Sequence, residues 1–315
     1  MKRYVVLLSV TFCVTVLYAQ FDPQMGQYMY MPMSFNPAAA GEGDMMKVYG
    51  MHRMQFTGIQ NAPMTTIFSL TSPFLIGKTR HGAGVRFVND RFGLFTNMTF
   101  HVQYAYRQKL GPGYLSAGVD LGFVSVGFKG DSVNLADMRD DYHDKDDQWI
   151  PLTSTAGMAF DMGVGLYYTC KKWNVGISYS HATHPLVHWG DNATVHLRGT
   201  MYVSGGYNYR FRQKDWQLKP SAMLMTDFAS WDLNLSLLCE FKDKYRWGLS
   251  YRVASNVAIL LGVDIIDGLQ LGYTYELPTS KLLLESYGSH EIYLSYSFDI
   301  LKQKHTNRYK SVRYL

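Results

Sequence analysis

The sequence has little charge, few cysteines and, beyond its N-terminus, no long hydrophobic run. Asp, Glu, Lys and Arg make up 17% of the 315 residues, well below the roughly 25% of an average soluble protein. After residue 20, no apolar run approaches the roughly 20 residues that a membrane-spanning helix needs. These absences exclude a helical membrane protein and favour one large β structure over two ordinary soluble domains.

The first 19 residues are typical of a secretory signal peptide. Lys2 and Arg3 precede an apolar run over residues 5–17, and Ala19 stands before Gln20 at the expected cleavage point. We therefore expect the chain to be exported. Three parts would remain: a periplasmic or lumenal segment over residues 20–44, a main body over 45–301 and a basic periplasmic tail over 302–315.

Positive charge is concentrated at the two ends of the chain. The formal net charge is +5, but residues 1–19 carry two positive charges and the tail 302–315 carries five with no acid, which leaves −2 for the body. Such a body is not a nucleic-acid-binding surface. The tail is either a docking peptide for a periplasmic partner or a solubilising end, and the sequence favours neither.

Aromatic residues and glycine are abundant, and apolar positions alternate with polar ones. There are 24 Tyr, 17 Phe, 6 Trp and 28 Gly. Over residues 94–110, Phe100 and Val102 alternate with His101 and Gln103. Alternation of this length predicts long β-strands with one apolar and one polar face. Soluble sandwiches normally have shorter strands, whereas membrane barrels combine long strands with aromatic girdles.

Counting these segments predicts an all-β, transmembrane outer-membrane β-barrel of about 14 antiparallel strands over residues 45–301. The expected strands are 45–55, 62–71, 81–90, 94–110, 113–129, 157–169, 172–181, 194–211, 216–228, 230–241, 244–253, 256–265, 268–277 and 289–301. The long connections (130–156, 182–193 and 278–288) all follow odd-numbered strands, and connections after even-numbered strands are tight except 72–80. This parity matches barrels that keep short turns on the periplasmic side.

Two cysteines remain once Cys13 is removed with the signal peptide. Cys170 is expected in the turn after the sixth strand, and Cys239 on the outer face of the tenth. Because four strands separate them, their Cα atoms should lie farther apart than the roughly 7 Å limit for a disulfide. We expect two free thiols near the periplasmic side.

Two short motifs lie near the N-terminus. The first is N-P-A-x-A-G, formed by Asn36, Pro37, Ala38, Ala40 and Gly41, and the second is R-x-Q-F-x-G-x-x-x-A-P, formed by Arg53, Gln55, Gly58, Ala62 and Pro63. They resemble motifs of the PorP/SprF family of Bacteroidetes outer-membrane proteins, which has Trp where Phe56 stands here. The resemblance extends over essentially the whole exported chain.

The resemblance implies a function in protein export. Members of the family belong to the type IX secretion system or its gliding-motility branch. Their expected partners are periplasmic ring and peptidoglycan-binding components, cargo proteins with C-terminal sorting domains, and outer-membrane lipid and lipopolysaccharide. The resemblance carries over no catalytic residue and no cofactor. The alternative is a passive porin or a channel for hydrophobic substrates.

The N-terminal segment is expected to run close to the barrel. Asn36 and Pro37 favour a turn, and the small residues with Gly41 and Gly43 would let the backbone pass next to the barrel wall. The sequence leaves open whether the segment lies inside the lumen or beneath it. Lumen-facing Tyr167, Tyr202, His101 and Arg107 could help to fill the barrel.

Three groups of residues are candidate metal sites: His181, His184 and His188 with Asp191; the Asp-rich loop 131–147; and Met25, Met29, Met31 and Met33. Imidazoles, carboxylates and thioethers suit Zn²⁺, Ca²⁺ and Cu⁺ respectively. However, Pro185 interrupts any helix that would align the histidines, and the Asp-rich loop lacks the spacing of a calcium loop. We therefore interpret all three as loop or packing residues and predict no metal and no enzyme site.

Overall fold

A computed structural model describes residues 22–132, 153–189, 193–212 and 215–299. The predicted signal peptide, the basic tail, Asp191 and most of the Asp-rich loop 131–147 lie outside the described residues. In the described part of the chain, no helix is long and apolar enough to cross a membrane.

The described residues form β-strands and a few short 3-10 turns. The strands are β1 (Met46–Met54), β2 (Met64–Ile76), β3 (Thr79–Phe92), β4 (Phe95–Leu110), β5 (Gly113–Lys129), β6 (Ser154–Thr169), β7 (Trp173–Ser180), β8 (Leu186–Trp189), β9 (Ala193–His196), β10 (Thr200–Tyr207), β11 (Tyr209–Arg210), β12 (Trp216–Thr226), β13 (Trp231–Phe241), β14 (Tyr245–Arg252), β15 (Asn256–Ile266), β16 (Leu269–Pro278) and β17 (Ser289–Phe298).

The strands close into a barrel. Each barrel strand pairs antiparallel with the next one along the chain, and β1 closes the sheet by pairing with β17. Strands β10 and β11 both pair with β12 and form one interrupted barrel strand, whereas β8 and β9 pair only with each other. The barrel therefore has 14 strands, and the predicted fold is confirmed. Among the described strands, closure gives every barrel strand a neighbour on both sides, as a membrane barrel requires.

Two predicted boundaries are wrong. Strands β2 and β3 meet at a tight turn over residues 77–78, so the long connection predicted at 72–80 does not exist. The predicted strand 194–211 is split, because residues 193–196 belong to the β8–β9 hairpin and the barrel strand begins at Thr200. The neighbouring strand β7 already ends at Ser180, which pairs with Thr200. The chain before Thr200 therefore has no barrel partner.

The alternating faces are oriented as predicted. On β4, Phe100 points outward with 48% of its surface exposed, while His101 points into the barrel and is 1% exposed. Tyr167, Tyr202 and Arg107 are also buried inside. Cys170 and Cys239 are both free, with Cys170 in the turn after β6.

The two ends of the barrel differ in the length of their connections. The long-loop rim carries the connections 55–63, 130–153, 181–199 and 279–288, and the short-turn rim carries 77–78, 111–112, 170–172, 242–244 and 267–268. Outer-membrane barrels place long loops outside and short turns in the periplasm. We therefore expect the long-loop rim to face outward.

Candidate functional site

The N-terminal segment crosses the barrel lumen from one rim to the other. At the long-loop rim, an Asp22 carboxylate oxygen lies 2.9 Å from Nε2 of His181, which directly follows β7. At the short-turn rim, an Asp44 oxygen lies 2.5 Å from an Arg80 nitrogen. The side chains between these ends are largely buried, including Met25, Tyr28, Met31, Met33, Phe35, Ala38, Ala39 and Ala40. The segment therefore occupies the lumen.

Asn36 fixes the turn in the lower half of this segment, which we define as residues 33–41. Its Oδ1 accepts a hydrogen bond from the Ala38 backbone N–H at 2.9 Å, and Pro37 opens the short 3-10 turn Pro37–Ala39. Its Nδ2 donates to the carbonyl oxygens of Leu166 and Ile177 at 3.0 and 3.3 Å. One side chain thus caps the turn and attaches it to β6 and β7.

Glycines of the barrel wall make room for the lower half. A Cβ atom added to Gly118 would overlap the backbone of Pro37 and Ala38, and one added to Gly82 would overlap the Ala40 carbonyl. Gly41 has a φ of +68° and packs against Gly82. The close approach expected at Gly41 is therefore present. Gly43 makes no such approach, since a Cβ there would meet only the tip of the Lys47 side chain, at 4.0 Å.

Polar side chains of the wall bind the carbonyl groups of the lower half. Gln103 Nε2 donates to the Met33 carbonyl at 3.0 Å, and Ser178 Oγ donates to the Phe35 carbonyl at 2.7 Å. Arg86 donates to the Ser34 carbonyl, and Arg107 donates to the Gly41 carbonyl. Buried carbonyls need such partners, and here the barrel wall supplies them.

Charged side chains hold the upper half, which we define as residues 22–30. The Glu291 carboxylate accepts from the backbone N–H groups of Gly26 and Gln27 at 2.7 and 3.0 Å. Arg53 lies 3.3 Å from Glu291 and binds Glu276 through two hydrogen bonds of 2.5 and 2.7 Å. All three charged residues are at most 2% exposed. The arginine of the second motif therefore supports the carboxylate that holds the N-terminal segment.

A second set of charges fixes the outer end of the upper half. Asp161 Oδ2 lies 2.7 Å from His181 Nδ1 and 3.0 Å from His101 Nε2. Burial acts to lower the pKa of His181, but the Asp22 and Asp161 carboxylates prevail and raise it to about 10. Burial acts to raise the pKa of Asp22, but the His181 cation prevails and lowers it to about 2. Both groups are therefore charged at neutral pH.

The second motif also shapes the long-loop rim. With its amide oxygen turned toward Arg53, Gln55 accepts from two guanidinium nitrogens at 3.1 Å. Thr57 exchanges backbone hydrogen bonds with Tyr287 and Gly288, each of 2.8 Å. Gly58 has a φ of +97°, and a Cβ there would contact the Tyr287 ring. The connections 55–63 and 279–288 are thereby joined.

The joined loops expose apolar side chains. Leu284 is 86% exposed and Tyr287 is 79% exposed, and Leu282 and Leu283 lie beside them. Ala62 and Pro63 lie at the base of connection 55–63, where the Pro63 carbonyl accepts from the Gln55 N–H at 2.9 Å. Exposed apolar side chains grouped on a rim are typical of interaction surfaces.

The β8–β9 hairpin covers part of the lumen near the long-loop rim. Trp189 Nε1 donates to the Val126 carbonyl at 2.7 Å, and the Trp189 ring stacks on Phe95 and Phe128. Val187 and Leu197 are buried with it. The apolar side chains of residues 187–189 and 195–197 therefore pack inside the barrel mouth and not on the lipid-facing wall.

The candidate metal residues do not converge. His181 pairs with Asp22 and Asp161, whereas His184 Nε2 lies 3.1 Å from Tyr179 Oη and His188 Nδ1 lies 3.0 Å from Thr194 Oγ1. Met25, Met31 and Met33 pack in the lumen core, with Met29 against it. Within the described ranges, no three His, Cys, Asp or Glu side chains are placed to hold a metal ion.

The charged lining of the lumen was missed by the reasoning from sequence. Its principal members are Arg86, Asp120, Asp161, Arg246, Arg252, Glu276 and Glu291. Each occupies a polar position of a strand, where an ordinary half-exposed strand would also carry charge. The sequence does place both positively and negatively charged residues at inward-facing positions of the predicted strands. Because charges buried in a closed barrel must pair, this pattern could have identified them.

Comparison with known proteins identifies the family. The model of the family described as Type IX secretion system membrane protein PorP/SprF matches residues 17–296. A search of curated proteins finds no match. The family match covers both N-terminal motifs and nearly the whole barrel.

Solved barrels of other bacteria have similar structures. The Ralstonia pickettii toluene transporter TbuX is 12% identical with a TM-score of 0.49, over 90% of this chain and 96% of that one. Omp33 of Acinetobacter baumannii is 9% identical with a TM-score of 0.46, over 81% of this chain and 97% of that one. The P. putida toluene transporter TodX is 11% identical with a TM-score of 0.44, over 84% and 92%. At this level of sequence identity and structural similarity, the functions of those proteins are not inferred for this chain.

Proposed function

The chain belongs to the PorP/SprF family of type IX secretion system membrane proteins, and we propose that it supports export or surface anchoring of cargo by binding partner proteins at the outer membrane. The proposed partners are cargo proteins with C-terminal sorting domains and the periplasmic ring and peptidoglycan-binding components of the apparatus. Outer-membrane lipid and lipopolysaccharide would surround the barrel. The family is one of secretion-system membrane proteins and not an enzyme class.

The filled lumen is the observation that carries this proposal. The N-terminal segment is bound along its length by the barrel wall, and the bulky side chains of Arg53, Tyr28 and Tyr293 are fully buried inside. A passive porin needs a continuous aqueous path through the lumen. The N-terminal segment and the buried side chains occupy that space, which argues against a passive porin. A barrel filled in this way is suited to holding partners at its rims.

We assign a structural function to the two family motifs. Asn36, Pro37, Ala38, Ala40 and Gly41 seat the N-terminal segment against the wall. Arg53 and Gln55 hold the upper half through Glu291, while Gly58, Ala62 and Pro63 shape the loop that supports Tyr287. The motifs would thus keep the joined loops in position, and Leu284 and Tyr287 are the side chains offered to a partner.

Affinity purification from native membranes tests the proposal. The tagged wild-type barrel should recover secretion components or sorting-domain proteins, and Leu284→Ser with Tyr287→Ser, on the rim expected to face outward, should reduce recovery of the sorting-domain proteins. The matched control is Phe228→Ser, because Phe228 is 71% exposed in another connection of the same rim. Recovery of no secretion component by the wild type would contradict the proposal, and equal losses in both variants would contradict the assigned surface.

Single-channel conductance separates this function from the alternative of a passive porin or hydrophobic-substrate channel. The reconstituted wild-type barrel is expected to be silent, because the segment occupies the lumen. Deletion of residues 22–41 should produce a conducting pore. A steady open current from the wild type would favour the channel.

A further inference from the structure

An apolar cleft lies on the outer wall of the barrel near the short-turn rim. It has a volume of about 530 Å³ and is lined by Phe211, Arg212, Trp216, Leu218 and Cys239. Trp216 pairs with Phe241 across β12 and β13, and Leu218 pairs with Cys239. Four of the five lining side chains are apolar or aromatic, and the fifth is a guanidinium.

Side-chain size explains the cleft. Cys239 faces outward among larger neighbours, since its cross-strand partners are Leu218 and Trp247. A backbone hydrogen bond of 3.1 Å from the Phe211 N–H to the Trp216 carbonyl holds these two aromatic residues beside each other at one wall. The small cysteine therefore forms a floor between bulky walls, a shape that admits a hydrocarbon chain.

The rim beside this cleft is strongly basic. Its exposed cations lie on β11 and on neighbouring turns, where they outnumber the exposed acids Asp215 and Asp243: Lys171, Lys172, Arg210, Lys242 and Lys244. Lys242 lies 5.2 Å from the Phe241 ring centroid and Lys244 lies 5.6 Å from that of Tyr245. Arg210 is paired with Asp243 at 2.9 Å. Cations held over an aromatic girdle are placed at the depth of lipid headgroups.

We propose that this cleft binds one anionic glycerophospholipid of the inner leaflet, with an acyl chain on Leu218 and Cys239 and its phosphate on Arg212. A guanidinium binds phosphate through paired hydrogen bonds, and the neighbouring lysines attract net negative charge. The cleft opens to the membrane side of the wall. Its apolar lining matches an acyl chain, and the neighbouring cations match an anionic headgroup. An acidic protein would match the cations but not the apolar cleft.

Cys239 provides a direct probe of occupancy. The experiment uses the full-length Cys170→Ser variant in detergent, with phosphatidylglycerol or phosphatidylcholine added. The rate at which N-ethylmaleimide labels Cys239 is measured by the mass of the intact protein. We expect phosphatidylglycerol to slow labelling about tenfold more than phosphatidylcholine, since both have a phosphate but the choline cation is repelled by Arg212 and the neighbouring lysines. Equal slowing by both lipids would mean unselective annular lipid and would overturn the proposal.

Two substitutions test the assigned atoms. Arg212→Ala should abolish the preference for phosphatidylglycerol, while Lys78→Ala, an exposed cation on the short turn across the barrel, should leave it intact. Cys239→Phe should fill the cleft and remove one tightly retained phosphatidylglycerol in native mass spectrometry. Retention unchanged in Cys239→Phe, or loss of preference in both alanine variants, would contradict this site. Loss of a co-purifying acidic protein in Arg212→Ala, with lipid retention unchanged, would assign the cations to a protein instead.

Discussion

The two halves of the N-terminal segment are held in the lumen by different physical means. The upper half, residues 22–30, is held by buried charges, chiefly the Glu291 carboxylate supported by Arg53. The lower half, residues 33–41, is held by shape, with small residues against wall glycines and neutral carbonyls bound by wall donors. Both halves lie in the same barrel, yet they depend on different interactions.

This difference predicts different responses to substitution. Ion pairs between buried groups become strongly unfavourable when one partner is removed, because the other charge is left without compensation. Close packing responds instead to added volume. Maleimide labelling of single cysteines can follow the two halves separately. Met25→Cys reports on the upper half and Met33→Cys on the lower half, each in a Cys170→Ser and Cys239→Ser background, and both methionines are buried in the wild type.

Arg53→Ala should have the largest effect. It leaves Glu291 buried without its cation and leaves Glu276 with only Arg252, at 3.7 Å, which we expect to lower the free energy of unfolding by about 3–5 kcal/mol. Urea unfolding in detergent measures this loss. A water-soluble maleimide should then label Met25→Cys faster while Met33→Cys stays protected.

A charge-neutral variant is the control for Arg53→Ala. Arg53→Met combined with Glu276→Gln and Glu291→Gln removes the uncompensated charge and should recover much of the stability. If both reporters became labelled equally in Arg53→Ala, the two halves would detach as one unit and the division into halves would be wrong.

Gly118→Ala should have the next largest effect, on the lower half. Its Cβ would overlap the backbone of Pro37 and Ala38, and overpacking of this kind costs about 1–3 kcal/mol. Labelling of Met33→Cys should increase first. The matched control is Gly50→Ala on β1, where an added Cβ meets nothing within 4 Å. Similar loss of stability in both would indicate a general β-strand effect and not the close approach.

The barrel itself could be predicted because strand periodicity is local in sequence. His101 and Phe100 take opposite faces by the geometry of any strand, and the parity of loop lengths predicts which end of the barrel faces outward. The division of residues 194–211 between the β8–β9 hairpin and a barrel strand could not be predicted in this way, because apolar and polar residues alternate in the same manner in both. Their difference depends on where β7 ends at Ser180.

The contacts within the lumen could not be predicted because they join distant parts of the chain. Arg53 and Glu276 are 223 positions apart, and no local pattern pairs them. The small residues around Asn36 did predict a close approach of backbone to wall. They could not identify Gly118 and Gly82 as its partners, because glycine also occurs throughout the turns.

Asn36→Ala should have a moderate effect. It removes the cap of the turn Pro37–Ala39 and two donors to wall carbonyls, together about 2 kcal/mol. Asn36→Asp keeps the oxygen that caps Ala38 but cannot donate to Leu166 and Ile177. If the aspartate variant were as stable as the wild type at pH 7, the wall contacts would contribute nothing to holding the lower half.

A change of pH should have the smallest effect and should act only on the upper half. His181 has its pKa raised from 6.5 to about 10, so its stabilising contribution is complete below pH 6.5 and is lost as pH rises toward 10. Asp22 has its pKa lowered from 3.8 to about 2, so its contribution changes only in acid. Between pH 7 and 8 we expect a loss of about 1 kcal/mol.

The measurement is the difference in unfolding free energy between the wild type and His181→Gln across that range of pH. Gln keeps a polar side chain beside Asp22 and Asp161 but does not titrate, so its profile should be flatter than that of the wild type. Labelling of Met25→Cys should rise with pH in the wild type, while labelling of Met33→Cys should not. Parallel profiles for the two proteins would show that the charge of His181 does not hold the outer end of the upper half.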